Sequence, residues 1–413
     1  MPDISEQDTG DQDTSDQATS GLTLVGIDVR ALAQSSRGLG RRITGIDCFA
    51  DLDTAAACDQ LIRVNRCDAD ALFAAAMNAN DEGLNSDLIV GGGLDGRPDL
   101  LRGLASSYRI RGNCPDTISL LADPERLFGL LGRLGIAHPP VSLDHPAKPA
   151  GWLLKHPASC GGQSVFAATG GHSSRPGAYF QQAVDGRVVS VIFAADARDA
   201  VVIGYNRLLA GLVGKRCYSF AGALRWCAPP PRVQSVTSGW IDALTAGLGL
   251  RGINGIDLIL PDNGAAPLFL ELNARPTATL ELHEWLLPGG AIRCHLDACD
   301  GRLQSLDRRL RWDTDTDTGE VIRGYRVVYA RRALRVSFEQ APSHSTEVTA
   351  SGRAGHWPSW CKDLPAFGAD VGAGEPLCTV HAEGTNEAEV ERLLADRATA
   401  IHQSFQVPSV GAA

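Results

Sequence analysis

Two short apolar segments in the second half of the chain carry acidic and amide side chains where a β-strand normally places apolar ones. The segments are Ile256–Leu260 and Leu268–Leu272, both rich in branched residues, and we interpret them as strands. An Asn-Gly pair in the connection between them favours a tight reversal. The pattern therefore predicts a β-hairpin.

The register of this hairpin decides which side chains meet. We expect Leu260 to pair with Leu268 across the connection. That register sets Asp257 directly opposite Glu271, and the two-residue period of a strand places Asn273 on the same face. Facing carboxylates repel each other, so a sheet that keeps them usually holds a cation between them.

Two carboxylates and one amide form an all-oxygen donor set, which suits Mg²⁺ or Mn²⁺ with substrate phosphates completing the shell. Arg275 follows on the same strand end and adds a guanidinium fork that matches phosphate oxygens. The alternative is a solvent-facing strand that carries two unrelated acids.

A second group with phosphate chemistry lies about a hundred residues earlier. Lys155 follows the predicted strand Gly151–Leu154 and precedes a small-residue loop that contains Gly161 and Gly162. The lysine supplies a point charge, and the loop N–H groups can approach phosphate oxygens closely. The loop does not match the Walker pattern, and the alternative is a surface hairpin.

Composition restricts the class of protein. With 413 residues and 44% hydrophobic content, the chain can bury two to four compact cores. The net charge is −10 and the chain has no long block of Lys and Arg, so we do not expect a nucleic-acid partner. It also lacks an apolar run of about 20 residues and a signal peptide at its start, so we expect no membrane partner and a cytoplasmic location.

The eleven cysteines include no Cys-x-x-Cys pair and predict reduced, scattered thiols. One cluster, Cys294-His295 with Asp297 and Cys299, has two interpretations. It is either a soft-metal site or part of a polar helix, and its spacing matches no strong zinc pattern.

The chain divides into five predicted regions. Residues 1–21 are too polar to bury anything and are expected to be a disordered acidic tail. Alternating strands and helices over 22–122 predict a parallel sheet in an α/β domain. A helix opened by Asp123-Pro124 begins the region 123–300, followed by a polar linker over 301–320 and a β-rich region over 321–413 that ends in a helix capped by Asn386.

The order of these parts resembles the ATP-grasp enzymes. The resemblance rests on the α/β region, Lys155 with its glycine loop, a hinge at Gln181–Val184, and the set Asp257, Glu271, Asn273 and Arg275. It implies a mixed α/β and α+β fold: a Rossmann-like pre-grasp domain, a grasp domain of two subdomains with the nucleotide between them, and a small β-rich appendix.

A narrower resemblance comes from residues 31–53, Ala-Leu-Ala-Gln-Ser-Ser through Gly-Ile-Asp-Cys-Phe-Ala-Asp-Leu-Asp. This stretch is similar to predicted carboxylate–amine ligases related to tyramine–glutamate ligase. Those proteins are linked to methanofuran-type and methanopterin-type cofactors, which implies glutamate ligation in one-carbon cofactor biosynthesis.

The ATP-grasp resemblance implies a role for each residue of the set. Lys155, Gly161, Gly162 and Arg126 would bind the phosphates of ATP, while Gln181 and the backbone at Val184 would meet the adenine. The resemblance further implies that the hairpin side chains hold one or two Mg²⁺ or Mn²⁺ ions; these are Asp257, Glu271 and Asn273. Lys155 and Arg275 would be the catalytic residues, with Arg275 stabilising the transferring phosphoryl group.

The implied reaction forms an acylphosphate from a substrate carboxylate and ATP, and an amine then displaces the phosphate. The alternatives are a carboxylase or formyl-type enzyme of the same fold, and a non-catalytic ATP-sensing module.

Arg175 and Lys215 either touch phosphate or substrate carboxylate or are solvated surface charges, and the isolated His156, His172 and His283 are expected in packing or surface roles. The oligomeric state is open, with a homodimer the commonest arrangement.

Overall fold

The structure is a computed structural model that describes residues 21–80, 86–156, 161–162, 164–169, 177–213, 216–303, 321–337 and 357–405. Several predictions lie outside these ranges. They are the acidic tail, apart from Gly21, most of the polar linker, and the loop residues His172, Arg175 and Lys215. Within the described ranges, the chain shows no helix that is both long and apolar enough to span a bilayer.

The first sheet is parallel, as the alternating pattern predicted, with strand order β3-β2-β1-β4-β5. Its strands are β1 Leu22–Val25, β2 Ile43–Asp47, β3 Gln60–Arg63, β4 Asp87–Val90 and β5 Arg109–Ile110. The helices of this region are α1 Arg30–Ser36, α2 Leu52–Ala55, α3 Ala69–Asn78, α4 Pro98–Ala105 and α5 Pro115–Leu121. Helices cover both faces of this sheet, and its central strands β1, β2 and β4 are buried along almost their whole length.

A capped helix leads into the second sheet. Helix α6, Pro124–Arg133, begins where the sequence predicted, and the Asp123 side chain accepts a hydrogen bond from the Arg126 N–H at 3.2 Å. The small antiparallel sheet that follows has the order β6-β9-β7-β8. Its strands are β6 Val141–Ser142, β7 Trp152–Lys155, β8 Val165–Ala167 and β9 Tyr179–Gln182.

The third sheet has eight antiparallel strands in the order β14-β13-β10-β11-β12-β15-β19-β17. They are β10 Gly186–Asp196, β11 Ala200–Val213, β12 Arg216–Arg225, β13 Arg251–Pro261, β14 Leu268–Asn273, β15 Ile322–Tyr329, β17 Cys361–Lys362 and β19 Pro376–Gly384. Two short strands pair separately, β16 Leu334–Arg335 and β18 Asp370–Val371. The remaining helices are α7 Pro231–Leu248, α8 Ala291–Cys299, α9 Glu387–Ser404 and 3₁₀ helices over Arg37–Leu39 and Ala278–Leu286.

Side-chain alternation divides the large sheet into two faces. Val189, Val191 and Phe193 of β10 are fully buried against α7, where Trp240 and Leu244 pack on them. The even-numbered residues of β10 therefore face the opposite side, which the 3₁₀ helix Ala278–Leu286 and α8 cover. The acidic side chains of the hairpin lie on this second face.

The C-terminal strands continue the large sheet. Strand β15 pairs with β12, with Tyr325 opposite Ala223, and β19 then pairs with β15. The closing helix α9 packs on these strands, and the Asn386 side chain accepts from the Glu389 N–H at 2.9 Å, so the predicted cap is confirmed. The β-rich region is thus part of the same sheet as the hairpin.

The expectation that all cysteines are reduced is wrong for one pair. Cys48 and Cys67 form a disulfide with Cα atoms 5.3 Å apart. Cys48 follows β2 and Cys67 follows the neighbouring parallel strand β3, so adjacent strand ends bring the sulfurs together across 19 residues of sequence. Sequence spacing alone does not reveal this proximity.

The cysteine and histidine cluster of α8 has a structural role. The buried His295 ring accepts a hydrogen bond at Nδ1 from the Ile253 N–H, and its Nε2 lies 2.9 Å from the Arg111 carbonyl oxygen. Backbone groups therefore occupy both ring nitrogens, and burial lowers the pKa of His295 to about 4. Among the described residues, no group of three or more His, Cys, Asp or Glu side chains is arranged to bind a metal.

Two glycines give a matched test of the packing between β12 and β15. Gly222 has φ +135°, and a Cβ there would lie 2.1 Å from the Tyr325 carbonyl oxygen, whereas a Cβ on Gly239 in α7 meets nothing within 4 Å. We expect Gly222→Ala to lower the free energy of unfolding by roughly 3 kcal/mol or more. Gly239→Ala should raise it by up to about 1 kcal/mol. Urea unfolding of the two variants checks the difference, and similar stability for both would contradict it.

Candidate functional site

The hairpin brings the predicted acidic pair together, but through a β-bulge that the sequence did not predict. Ile259, and not Leu260, pairs with Leu268, so the predicted register near the turn is wrong by one residue. A β-bulge between Leu258 and Asp257 corrects the shift, and Asp257 lies opposite Glu271 as predicted. The bulge inserts one extra residue into β14.

Asn273 connects the two carboxylates. Its amide Nδ2 lies 3.3 Å from Asp257 Oδ2 and 3.5 Å from Glu271 Oε1. Burial, the neighbouring Glu271 charge and a hydrogen bond between the two side chains hold the pKa of Asp257 well above its usual range, while a hydrogen bond from Ser190 opposes them. Two carboxylates this close share a proton unless a cation is present, so the donor set fits a hard divalent cation.

Arg275 is fixed beside this set by a residue that sequence reasoning missed. Its Nε donates a hydrogen bond to Asp95, and its Nη2 donates to Asn273 Oδ1 at 3.2 Å. Asp95 follows strand β4, 180 residues earlier in the chain. The carboxyl edge of the parallel sheet therefore supports the guanidinium.

The small sheet presents the predicted lysine. Lys155 ends β7 and donates through Nζ to Gln181 Oε1 at 3.1 Å on the neighbouring strand β9. Gln181 is only 2% exposed, and no described residue forms a hydrogen bond with its Nε2. Buried N–H donors normally have a hydrogen-bond partner. The N–H groups of Gln181 Nε2 are therefore available to donate to a bound base.

Tyr179 links the small sheet to the hairpin electrostatically. Burial raises the pKa of the Tyr179 hydroxyl, and the Glu271 carboxylate raises it further, while the Lys155 ammonium opposes both. The Lys155 Nζ lies 6.0 Å from the Tyr179 ring centroid. Lys155 of the small sheet and Glu271 of the hairpin therefore both lie near enough to Tyr179 for their charges to act on it.

The glycine loop is attached to the large sheet. Gly161 and Gly162 have φ values of +64° and +70°, and the Gly161 carbonyl accepts a hydrogen bond from the Phe220 N–H at 3.0 Å. A Cβ on Gly162 would lie 2.0 Å from the Tyr218 carbonyl oxygen, so only glycine fits this approach.

Two of the predicted residues make fewer contacts. Val184 lies half-buried in the connection between β9 and β10, and its role at the adenine stays a prediction. Arg126 is on the exposed side of α6, and within the described part of the chain no hydrogen bond or ion pair joins its guanidinium to Lys155, Gln181 or the acidic pair.

Sequence reasoning also did not predict a row of polar side chains that crosses the covered face of the large sheet. Paired positions place five side chains side by side on the covered face: Glu271, Asp257, Ser190, Asn206 and Arg225. Asn206 Oδ1 lies 2.9 Å from Nε2 of the fully buried His283, which confirms the packing role expected for that histidine. The row joins five strands between residues 186 and 273, so local patterns do not reveal it.

Residues 128–279 match the family model of the ATP-grasp domain, and the chain therefore contains such a domain. No curated protein matches the sequence. The fold is the mixed α/β ATP-grasp fold, with its parallel sheet at the N-terminal end.

Solved structures of the same fold cover nearly the whole chain. Biotin carboxylase from Campylobacter jejuni is 12% identical, with a TM-score of 0.65 over 94% of this chain and 95% of its own. The biotin carboxylase domain of 2-oxoglutarate carboxylase from Hydrogenobacter thermophilus, solved with ADP, its magnesium salt and bicarbonate, is 12% identical, with 0.64 over 94% and 90%. L-amino acid ligase from Bacillus licheniformis is 12% identical, with 0.60 over 91% and 96%.

Substituting each of the two loop glycines by alanine distinguishes backbone strain, expected at Gly161, from a steric clash with β12, expected at Gly162. Gly162→Ala places a methyl group against the backbone of β12, so the Phe220 amide should exchange its hydrogen at least about tenfold faster. Gly161→Ala meets its nearest atom at 3.8 Å and adds only the cost of the left-handed conformation, about 1–2 kcal/mol. Hydrogen exchange measures both variants. Equal protection of the Phe220 amide in both would contradict the close contact of Gly162 with β12.

Proposed function

We propose that the protein is an ATP- and Mg²⁺-dependent ligase that joins a carboxylate to an amine through an acylphosphate. The observation that carries the proposal is the convergence of Asp257, Glu271 and Asn273 in the hairpin. Lys155 contacts Gln181 on the small sheet, and the charges of Lys155 and Glu271 both act on Tyr179. The ATP-grasp domain supports it, as do fold relatives that include an L-amino acid ligase.

In this proposal the small sheet binds the nucleotide. Lys155 binds the phosphates, to which the backbone N–H groups of Gly161 and Gly162 also lie close. The free Nε2 of Gln181 and the backbone at Val184 meet the adenine. Asp257, Glu271 and Asn273 would hold Mg²⁺ or Mn²⁺, which would neutralise phosphate charge when bound.

The reaction needs no covalent protein nucleophile. An oxygen of the substrate carboxylate attacks the γ-phosphorus of ATP, the bond to the bridging oxygen breaks, and ADP leaves. The amine nitrogen then attacks the acyl carbon, phosphate leaves, and loss of one N–H proton gives the amide. Arg275, held by Asp95 and Asn273, stabilises the negative charge of the transferring phosphoryl group.

Two other functions use the same site. A carboxylase would activate bicarbonate in place of an organic acid, which the carboxylase relatives favour. An ATP-sensing module would bind the nucleotide without turnover. As a finer form of the ligase proposal, we assign glutamate as the carboxylate and one-carbon cofactor biosynthesis as the pathway, supported by the resemblance of residues 31–53.

Removing one charge from the hairpin should abolish turnover with little change of shape. We expect Asp257→Asn and Glu271→Gln each to lower the rate of ADP formation by roughly 10²–10³-fold or more, because each loses a ligand charge at the phosphates. Asp262→Asn, an exposed acid in the same hairpin, is the matched control and should retain wild-type turnover. Unchanged turnover in the two site variants would refute the metal assignment.

Substrate dependence should identify the reaction. With Mg-ATP, we expect ADP release to require a carboxylate and an amine together, starting with L-glutamate and simple amines. Lys155→Ala should lose this activity, whereas the exposed Lys148→Ala should retain it. Release that depends on bicarbonate alone would indicate the carboxylase, and ATP binding without turnover for any pair would indicate the sensor.

A further inference from the structure

A second group of charged side chains lies between the carboxyl edge of the parallel sheet and the C-terminal strands. Its centre is Arg30, which donates to both Glu281 oxygens at 2.9 and 2.7 Å and also to Asp363. Lys362 donates to Glu281 as well. Asp53 accepts from the backbone N–H groups of Asp363 and Leu364, both at 2.9 Å. Arg30 Nε also lies 3.8 Å from Asp53. Arg30 and Lys362 are thus paired with three carboxylates, those of Glu281, Asp363 and Asp53.

Three further carboxyl groups in the same place have no cationic side chain bonded to them within the described residues. Asp28 is exposed and accepts a single backbone hydrogen bond, from the Arg30 N–H at 2.9 Å. Asp47 is fully buried and accepts from the N–H groups of Phe49 and Ala50. Asp51 precedes helix α2 as its N-cap residue, yet its side chain makes no capping hydrogen bond.

A hydroxyl from the C-terminal strands independently lacks a partner at this place. Tyr325 of β15 is 4% exposed, and its ring stacks on His381 with centroids 5.6 Å apart. Within the described ranges of the chain, its hydroxyl has no hydrogen-bond partner. Burial raises the pKa of this hydroxyl. Its ring partner His381 has Nε2 3.9 Å from Glu281 Oε1, which places Tyr325 beside the charged group. A buried hydroxyl without a partner is costly unless a ligand supplies one.

We infer that Asp28, Asp51 and Tyr325 form a binding site for the primary ammonium group of a substrate. An ammonium group has three N–H donors, which matches two carboxylates and a phenol oxygen. Its charge would also offset the excess of carboxylates beside Arg30 and Lys362. No three of the acids at this place are arranged around a common point as metal ligands within the described residues, so an organic cation fits here better than a compact metal ion.

The position of the site relates it to the proposed reaction, on which this inference rests. Strands β1 and β4 are hydrogen-bonded neighbours; Asp28 follows β1, and Asp95, the partner of Arg275, follows β4. Neighbouring strand ends are about 5 Å apart, and open α/β sheets bind ligands at their carboxyl edge. The backbone here is strained, since Ala50 and Asp363 have φ +53°, which also occurs at binding sites.

The first test compares the binding of charged and neutral probes to the full chain by titration calorimetry. The probes are butylamine, 1,4-diaminobutane and L-glutamate, with butan-1-ol as the neutral analogue. We expect the amines to bind and the alcohol not to bind, and Asp51→Asn to weaken amine binding roughly tenfold or more. Because burial raises the pKa of Asp51 to about 9, cation binding should release protons at pH 7, seen as a heat that depends on the buffer.

Tyr325→Phe tests the site without disturbing the fold. Removing a hydroxyl that has no partner should leave the melting temperature unchanged, yet weaken amine binding by about threefold to tenfold. Asp262→Asn is the control and should bind the amines like the wild type. Equal amine affinity in Tyr325→Phe, Asp51→Asn and wild type would overturn the inference, as would butan-1-ol binding as tightly as butylamine or a wild type that binds no ammonium probe.

Measuring ADP release in the same variants shows whether the ammonium site or the proposed ligase function is wrong. If the variants lose amine binding while no substrate pair releases ADP, the ammonium site stands and the ligase proposal fails. If ADP release requires an amine but its KM for the amine is the same in both variants, the ligase stands and the ammonium site fails. The comparison of butylamine with L-glutamate then shows whether the ammonium belongs to an amine or to an amino acid.

Discussion

The repulsion between two carboxylates in one register of a sheet is the constraint on which the proposed site depends. Asp257 and Glu271 would drive β13 and β14 apart if nothing offset their charges. The surrounding residues act on this repulsion: the Ser190 hydroxyl donates to Asp257, and the Asn273 amide lies between the two acids. These hydrogen bonds and the continuous polar row in which the pair lies reduce the repulsion between the strands, and the proposed cation would offset the remaining charge.

Local patterns predicted the elements well and their long-range contacts poorly. The hairpin, the Asp123 cap and the parallel sheet followed from turn residues, capping residues and apolar runs, which act within a few positions. The pairing of Asp257 with Glu271 was correct, although the starting pair Leu260 with Leu268 was wrong, because a bulge offset the error. No turn or capping residue near the bulge indicated it.

The residues that sequence reasoning missed share one cause. Asp95 reaches Arg275 across 180 positions, and Asn206 joins the row only through the pairing of β10 with β11. The Cys48–Cys67 disulfide depends in the same way on two strands being neighbours. Such contacts arise from the order of strands in a sheet, which one sequence without its relatives does not supply.

The attachment of the C-terminal strands has a consequence for dividing the chain. The family match ends at residue 279, yet β15 pairs with β12 and the backbone at Asp363 and Leu364 bonds to Asp53 near the other end of the chain. A fragment or chimera cut at the family boundary would therefore expose an open sheet edge and release Arg30 from Asp363. Protein engineering of this chain should treat residues 21–405 as one module, with exchange restricted to surface loops.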